Sequence, residues 1–237
     1  IQSASARGYT VMDNLALVEQ ALLVDKYSKA PVLECTIEDE NFRLRFADLP
    51  LGQMMELNQQ YPVTDLMNSE VGLGRVVNVG LMFKPWCTNG CASTTVDYET
   101  SLVHRGSHDR IVDALVNGMH GIRTAQQECI DLYSRALETE VEDLISLMDY
   151  EFNNLAKEHT SFKTTQRERD LIYEALNHET CSDNNLVAAG TDAITYVANA
   201  LPLNRAYDLE RLGFAFMRNS LEHIRNANDY LEHCPGL

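Results

Sequence analysis

The sequence predicts an α+β fold dominated by helix: a small N-terminal half built on two β-hairpins, and a C-terminal antiparallel helical bundle. Three observations lead there. Strands are confined to residues 31–103, where Val32–Ile37 and Phe42–Phe46 alternate with a period of two. From Ser107 onward apolar positions recur at steps of three and four, the period of one helix face. The change of period falls at Gly106, so the expected division is 1–106 and 107–237, as two halves or one continuous domain.

Residues 1–9 are small and polar and read as an arm. Val11 to Tyr27 carries Val11, Leu15, Val18 and Leu22 at helical spacing, and Pro31 ends that register. Val32–Ile37 and Phe42–Phe46 then form a hairpin across the polar turn Glu38-Asp39-Glu40-Asn41. In its second strand Phe42, Leu44 and Phe46 point one way, and Arg43 and Arg45 the other. Gln53 to Gln60 reads as a short helix stopped by Pro62, and Val63 to Gly74 as turn. Arg75–Phe83 and Ser93–Val103 are rich in β-branched and aromatic residues and make a second hairpin, with Asn89-Gly90 in its loop.

The helical half is organised around Ser107 to His159, where Ile111, Leu115, Met119, Ile122, Cys129, Tyr133, Leu137, Val141, Leu144, Met148, Phe152 and Leu155 make one stripe. The opposite face carries Arg123, Glu128, Glu138, Glu140, Glu142, Asp143 and Glu151. As one helix the stretch would be about 75 Å long at about 1.5 Å per residue. Gly118 and Gly121 are the expected break, since each weakens a helix interior by up to about 1 kcal/mol relative to Ala. Thr164–Asn177, Asn184–Leu201 and Leu203–Leu231 follow as further helices, with Pro202 separating the last two.

The 237 residues carry 35 acidic and 19 basic side chains, a formal net charge of -16. That balance argues against a nucleic-acid partner or an anionic membrane surface. No apolar run of membrane-spanning length is present. The chain begins at Ile1 without a methionine, which reads as a processed chain and favours secretion. Six cysteines, Cys35, Cys87, Cys91, Cys129, Cys181 and Cys234, fit three disulfides in an extracellular protein. Cys87–Cys91 is the first expected bond, a staple across a short turn. Two of Cys129, Cys181 and Cys234 would pair, leaving the third for Cys35. No Asn-x-Ser/Thr sequon occurs, so glycosylation would be O-linked.

Motifs of known chemistry are missing. There is no Gly-x-Ser-x-Gly, no His-Glu-x-x-His and no phosphate loop, and Gly72-Leu73-Gly74 lacks the third glycine of a dinucleotide site. Cys87-x-x-x-Cys91 has no second pair to complete a zinc site. His104 and His108 have helical i, i+4 spacing, but Gly106 lies between them, and a solvated helix N-terminus with Asp109 in its first turn explains them as well. The acidic run Glu138–Asp143 lacks the ligand alternation of a calcium loop and reads as a solvated helix face. No metal or cofactor is expected.

Glu128-Cys129-Ile130-Asp131-Leu132-Tyr133 followed by Leu176-Asn177-His178-Glu179-Thr180-Cys181 resembles the plant invertase and pectin-methylesterase inhibitors, secreted four-helix bundles. That family's N-terminal cysteine hairpin has no counterpart here, and the β-rich first half does not belong to it. The ending Asn228–Cys234 is similar to small helical secreted proteins of insects. Each covers under half of the chain, and neither is adopted.

The function expected is that of a secreted, non-enzymatic protein with a structural, storage or assembly role, self-associating as a homo-oligomer or with another extracellular protein. One alternative is a carrier of a small apolar ligand, lined by residues such as Met119, Met148, Phe152, Phe214 and Phe216. The other is an enzyme of unrecognised type, which requires perturbed histidine and carboxylate groups converging in a cleft, with His104 and His108 as the first candidates.

Overall fold

The computed structural model describes residues 12–23, 30–38, 41–47, 61–69, 75–84, 91–103, 107–178, 182–183 and 185–233; 61, 81–84, 91–100, 119–127 and 227–233 are described as backbone alone. The expected segments at 1–9 and Gln53–Gln60 lie outside these residues, as do Met54, Met55, Gly72 to Gly74, Cys87, His104, Cys181 and Cys234. The elements are α1 (Asn14–Leu22), β1 (Val32–Ile37), β2 (Phe42–Ala47), β3 (Tyr61–Asn68), β4 (Val76–Lys84), β5 (Cys91–Leu102), α2 (His108–Ala136), α3 (Leu144–Glu158), a 3-10 turn (Thr160–Phe162), α4 (Gln166–Ala175), α5 (Val187–Ala198) and α6 (Leu203–His233). The architecture is α+β and helix-dominated, with one antiparallel sheet in the N-terminal half.

The five strands lie side by side in chain order. Both expected hairpins are there as neighbouring strands, β1 with β2 and β4 with β5. What joins them is β3, which corrects the turn expected over Val63 to Gly74. Pro62 reads as a helix stop and Val63 onward as turn, yet Arg43, Leu44 and Arg45 of β2 face Met67, Leu66 and Asp65 in regular antiparallel register. A bulge in β1 between Val32 and Glu34 shifts that edge strand by one residue.

The chain divides into two compact units, Ile1–Phe83 with Thr95–Glu128, and Lys84–Thr94 with Cys129–Leu237. The division falls inside α2, between Glu128 and Cys129. In the first unit, Phe42, Leu44, Phe46 and Leu66 of the sheet bury against Met12, Leu17 and Ala21 at α1 and Ile111 and Leu115 at the start of α2. The apolar stripe of α2 thus begins its work on the sheet, because a helix face packs on whichever apolar surface it meets. Asp13 caps α1 by accepting from the amides of Leu15 and Ala16. Asn68 ties β3 to the entry of α1, donating from Nδ2 to the Met12 carbonyl and to Asn14 Oδ1, each at 2.8 Å.

The long helical stretch does break, but not at Gly118–Gly121. α2 runs through both glycines for 29 residues, about 44 Å, and ends at Ala136. Glycine weakens a helix without terminating it when the flanking turns are anchored. The break lies between Ala136 and Leu144, where Val141 N–H donates to the Asn185 carbonyl at 2.6 Å and Val187 N–H donates to the Thr139 carbonyl at 3.0 Å. Asp143 then caps α3, its carboxylate accepting from the Ser146 amide and from the Ser146 hydroxyl. Glu138, Glu140, Glu142 and Asp143 are exposed as expected, but on this turn and not on a helix face.

In the second unit, α5 is buried along nearly its whole length and packs on α6. Gly190 lets the two approach: a Cβ there would lie 2.5 Å from Phe216 Cε1. α4 opens with a capping box, Thr165 with Glu168. Glu168 also holds Arg205 of α6 through Nε at 2.6 Å and Nη2 at 3.0 Å. Burial pushes the Glu168 carboxyl up, but the Arg205 and Thr165 hydrogen bonds outweigh it and leave it below its usual value.

Candidate functional site

A cleft of about 660 Å³ opens between α3 and α6. Its walls follow from the helical period. On α3 the buried stripe is Leu144, Met148, Phe152 and Leu155, with Glu151 among them. Tyr150, Asn154 and Glu158 stand at the side of that stripe and line the cleft with Glu151. From α6 come Asn219, Glu222 and His223. The last buried side chain described on α6 is Leu221, so its polar residues take over where its core contacts stop.

Glu151 is the unusual member, with 3% of its surface exposed on the floor of an open cleft. His223 Nδ1 lies 3.6 Å from its Oε1 and is half exposed. The Tyr150 ring meets the His223 ring edge to face, centroids 5.0 Å apart and 85° between planes. Burial raises the Glu151 carboxyl above its usual range; His223 pulls it down, Glu158 pushes it up, and a hydrogen bond from Asn219 pulls it down. The arrangement presents a buried carboxylate to whatever enters the cleft.

A second, more apolar depression of about 530 Å³ lies between α4 and α5, where the His178 and Tyr196 rings stack at 4.4 Å. In the first unit a buried charge cluster crosses the sheet. Arg45 donates to both Asp65 oxygens, Arg43 donates to Asp65 Oδ2, and Arg45 reaches Glu34 at 3.2 Å. Arg43, Arg45 and Asp65 are all buried. Burial raises the Asp65 carboxyl, and the two guanidiniums with their hydrogen bonds more than reverse this, leaving it below its usual value.

Neither feature was named from the sequence. Sequence spacing puts Arg43 and Arg45 on the strand face opposite Phe42 and Leu44, and Glu151 on the polar helix face; all three are buried. For Glu151 a signal existed: it stands three residues after Met148 and four before Leu155, on the shoulder of the apolar stripe.

The pocket residues named from sequence are brought together only in part. Met148, Phe152, Phe214 and Phe216 are buried in side-chain packing, and the Phe152 and Phe216 rings touch at 6.3 Å between centroids. None of the four lines either cavity described. Met119 lies on α2, described as backbone alone. Cys35 is an exposed free thiol on β1, and Cys129 is fully buried on α2. Their expected partners, Cys181 and Cys234, lie outside the described residues. Cys91 is described as backbone on β5. His108 opens α2 beside Asp109. No group of three or more metal-ligating side chains converges among the described residues, and no described helix is long and apolar enough to cross a membrane.

No family model, curated protein or solved structure matches this chain.

Proposed function

We propose that this is a secreted, non-enzymatic protein with a structural, storage or assembly role, self-associating through its long helices. The observation that carries this reading is the reach of α6. It runs 31 residues, about 46 Å, while its neighbours α3 and α5 have 15 and 12. Past Leu221 its described side chains, Glu222 to Asn226, are exposed or half-buried, yet the helix continues to His233. Helices are held chiefly by packing, so a helix that runs on past its last described buried side chain is a natural place for another chain. Exposed apolar side chains elsewhere, Leu15, Leu23 and Ile37 among them, add contact surface in the first unit.

A net charge of -16 opposes association at low salt. Sedimentation at 50 mM and 500 mM NaCl therefore tests the reading: species at multiples of 26.7 kDa, tighter at high salt, are expected. A strict monomer across a wide concentration range at both salts overturns it. For secretion the test is the thiol count of protein recovered from its native source. Paired cysteines support it, and six alkylatable thiols, Cys35 included, overturn it.

A second reading, a carrier of a small polar ligand in place of the apolar one expected from sequence, is favoured by the α3–α6 cleft, whose lining is charged and amide-bearing.

A further inference from the structure

We propose that the α3–α6 cleft binds a small organic ammonium compound, a diamine in preference to a monoamine, with one cationic end seated on Glu151. The proposal rests on the carrier reading and is independent of self-association.

Glu151 carries the argument. A carboxylate with 3% exposure is expensive to keep charged unless a partner compensates it. Its basic neighbour in the cleft, His223, stands at 3.6 Å, outside hydrogen-bond range, and is charged only when protonated. Asn219 already donates one hydrogen bond to the Glu151 carboxylate but carries no charge; an ammonium group on the cleft side supplies the charge and a further donor. The Tyr150 ring, half exposed beside His223, offers an aromatic face of the kind that attracts cations.

The remaining lining selects among ligands. Carboxylates outnumber fixed cations, Glu151, Glu158 and Glu222 against Lys157 and Arg218. An anion would therefore meet net repulsion, in a protein whose overall charge of -16 concentrates cations around it. A metal ion is a poorer fit, because the described side chains do not converge as a ligand group. Glu151 and Glu158 are two turns apart on one face of α3, roughly 10 Å along the axis. Glu222 faces the same cleft from α6. A second ammonium on a short alkyl chain thus has a carboxylate to reach, and the volume of about 660 Å³ holds such a chain with water.

The test is an NMR titration of the full chain with 1,4-diaminobutane at pH 7, following the ring C–H signals of His223, assigned by their loss in His223→Gln. Succinate, a dianion of similar length, is the counter-probe. The expected result is a saturable shift with the diamine, weakened about tenfold or more in Glu151→Gln and unchanged in Glu142→Gln, which alters an exposed carboxylate on the α2–α3 turn. Saturation unaffected by Glu151→Gln overturns the assignment. If succinate saturates His223 and the diamine does not, the carrier reading stands and the ammonium assignment falls. If neither perturbs His223, both fall.

Discussion

Arg45 grips Asp65 with two parallel hydrogen bonds, Nε to Oδ1 at 2.7 Å and Nη2 to Oδ2 at 2.8 Å, across the β2–β3 pair. Both side chains are fully buried. The bidentate fork fixes register as well as charge, since a slip of one residue would turn Asp65 to the opposite face and strand two guanidiniums.

Removing the shared carboxylate should therefore be severe. Asp65→Asn leaves Arg43 and Arg45 buried without their common anion and is expected to destabilise the first unit by about 3–5 kcal/mol. Urea unfolding checks this. Replacing all three residues with apolar ones of similar size should recover most of the loss, because the desolvation of charge is then gone. A loss under 1 kcal/mol in Asp65→Asn would show that the cluster is not held as described.

The same carboxylate sets an acid limit. Its pKa is lowered by folding, so its contribution is fully present above the unfolded value of about 3.9 and is lost as pH falls through the lower folded value. Acid unfolding of the first unit should begin below about pH 4. The stability gap between wild type and Asp65→Asn should narrow over that range, as read by circular dichroism at matched ionic strength.

Glu151 has the opposite sign. Folding raises its pKa, so the group favours the folded state least once pH has risen through the folded value. Glu151→Gln removes the buried charge and keeps the shape. At pH 7 it should stabilise the chain by up to about 1 kcal/mol, within the range of single beneficial substitutions. The gain should fade below the unfolded value near pH 4.3, where both proteins carry a neutral side chain. Thermal melts at pH 4 and pH 7 decide it; a destabilised variant at pH 7 contradicts the sign.

Gly190 of α5 lies against the Phe216 ring of α6. A Cβ there would sit 2.5 Å from Cε1 and 2.8 Å from Cζ of Phe216, a ring with no exposed surface. Gly190→Ala gains helix propensity but forces that ring to move, so a net loss of about 1–3 kcal/mol is expected. Pairing it with Phe216→Leu should return part of the loss, as measured in a double-mutant cycle.

The alternation Phe42-Leu44-Phe46, the β-branched and aromatic runs Arg75–Phe83 and Ser93–Val103, and the three-four spacing from Ile111 onward were enough, from sequence alone, to determine fold class, the two hairpins and the order of the helices. Those patterns report one thing, the partition of a face between water and apolar surroundings. Tertiary structure decided what periodicity does not encode. Strand β3 exists because Asp65 meets Arg43 and Arg45, partners 22 and 20 residues away that carry a stretch read as turn into the centre of a sheet. The long helix stops before Thr139 and not at Gly118, because Asn185 and Val187 hydrogen-bond the turn in place. Glu151 is buried because α6 lies over the shoulder of its stripe, which leaves a charge at the base of a cleft. In each case a polar group's fate was set by a partner distant in the chain, and the energy of that encounter is absent from any local window of sequence.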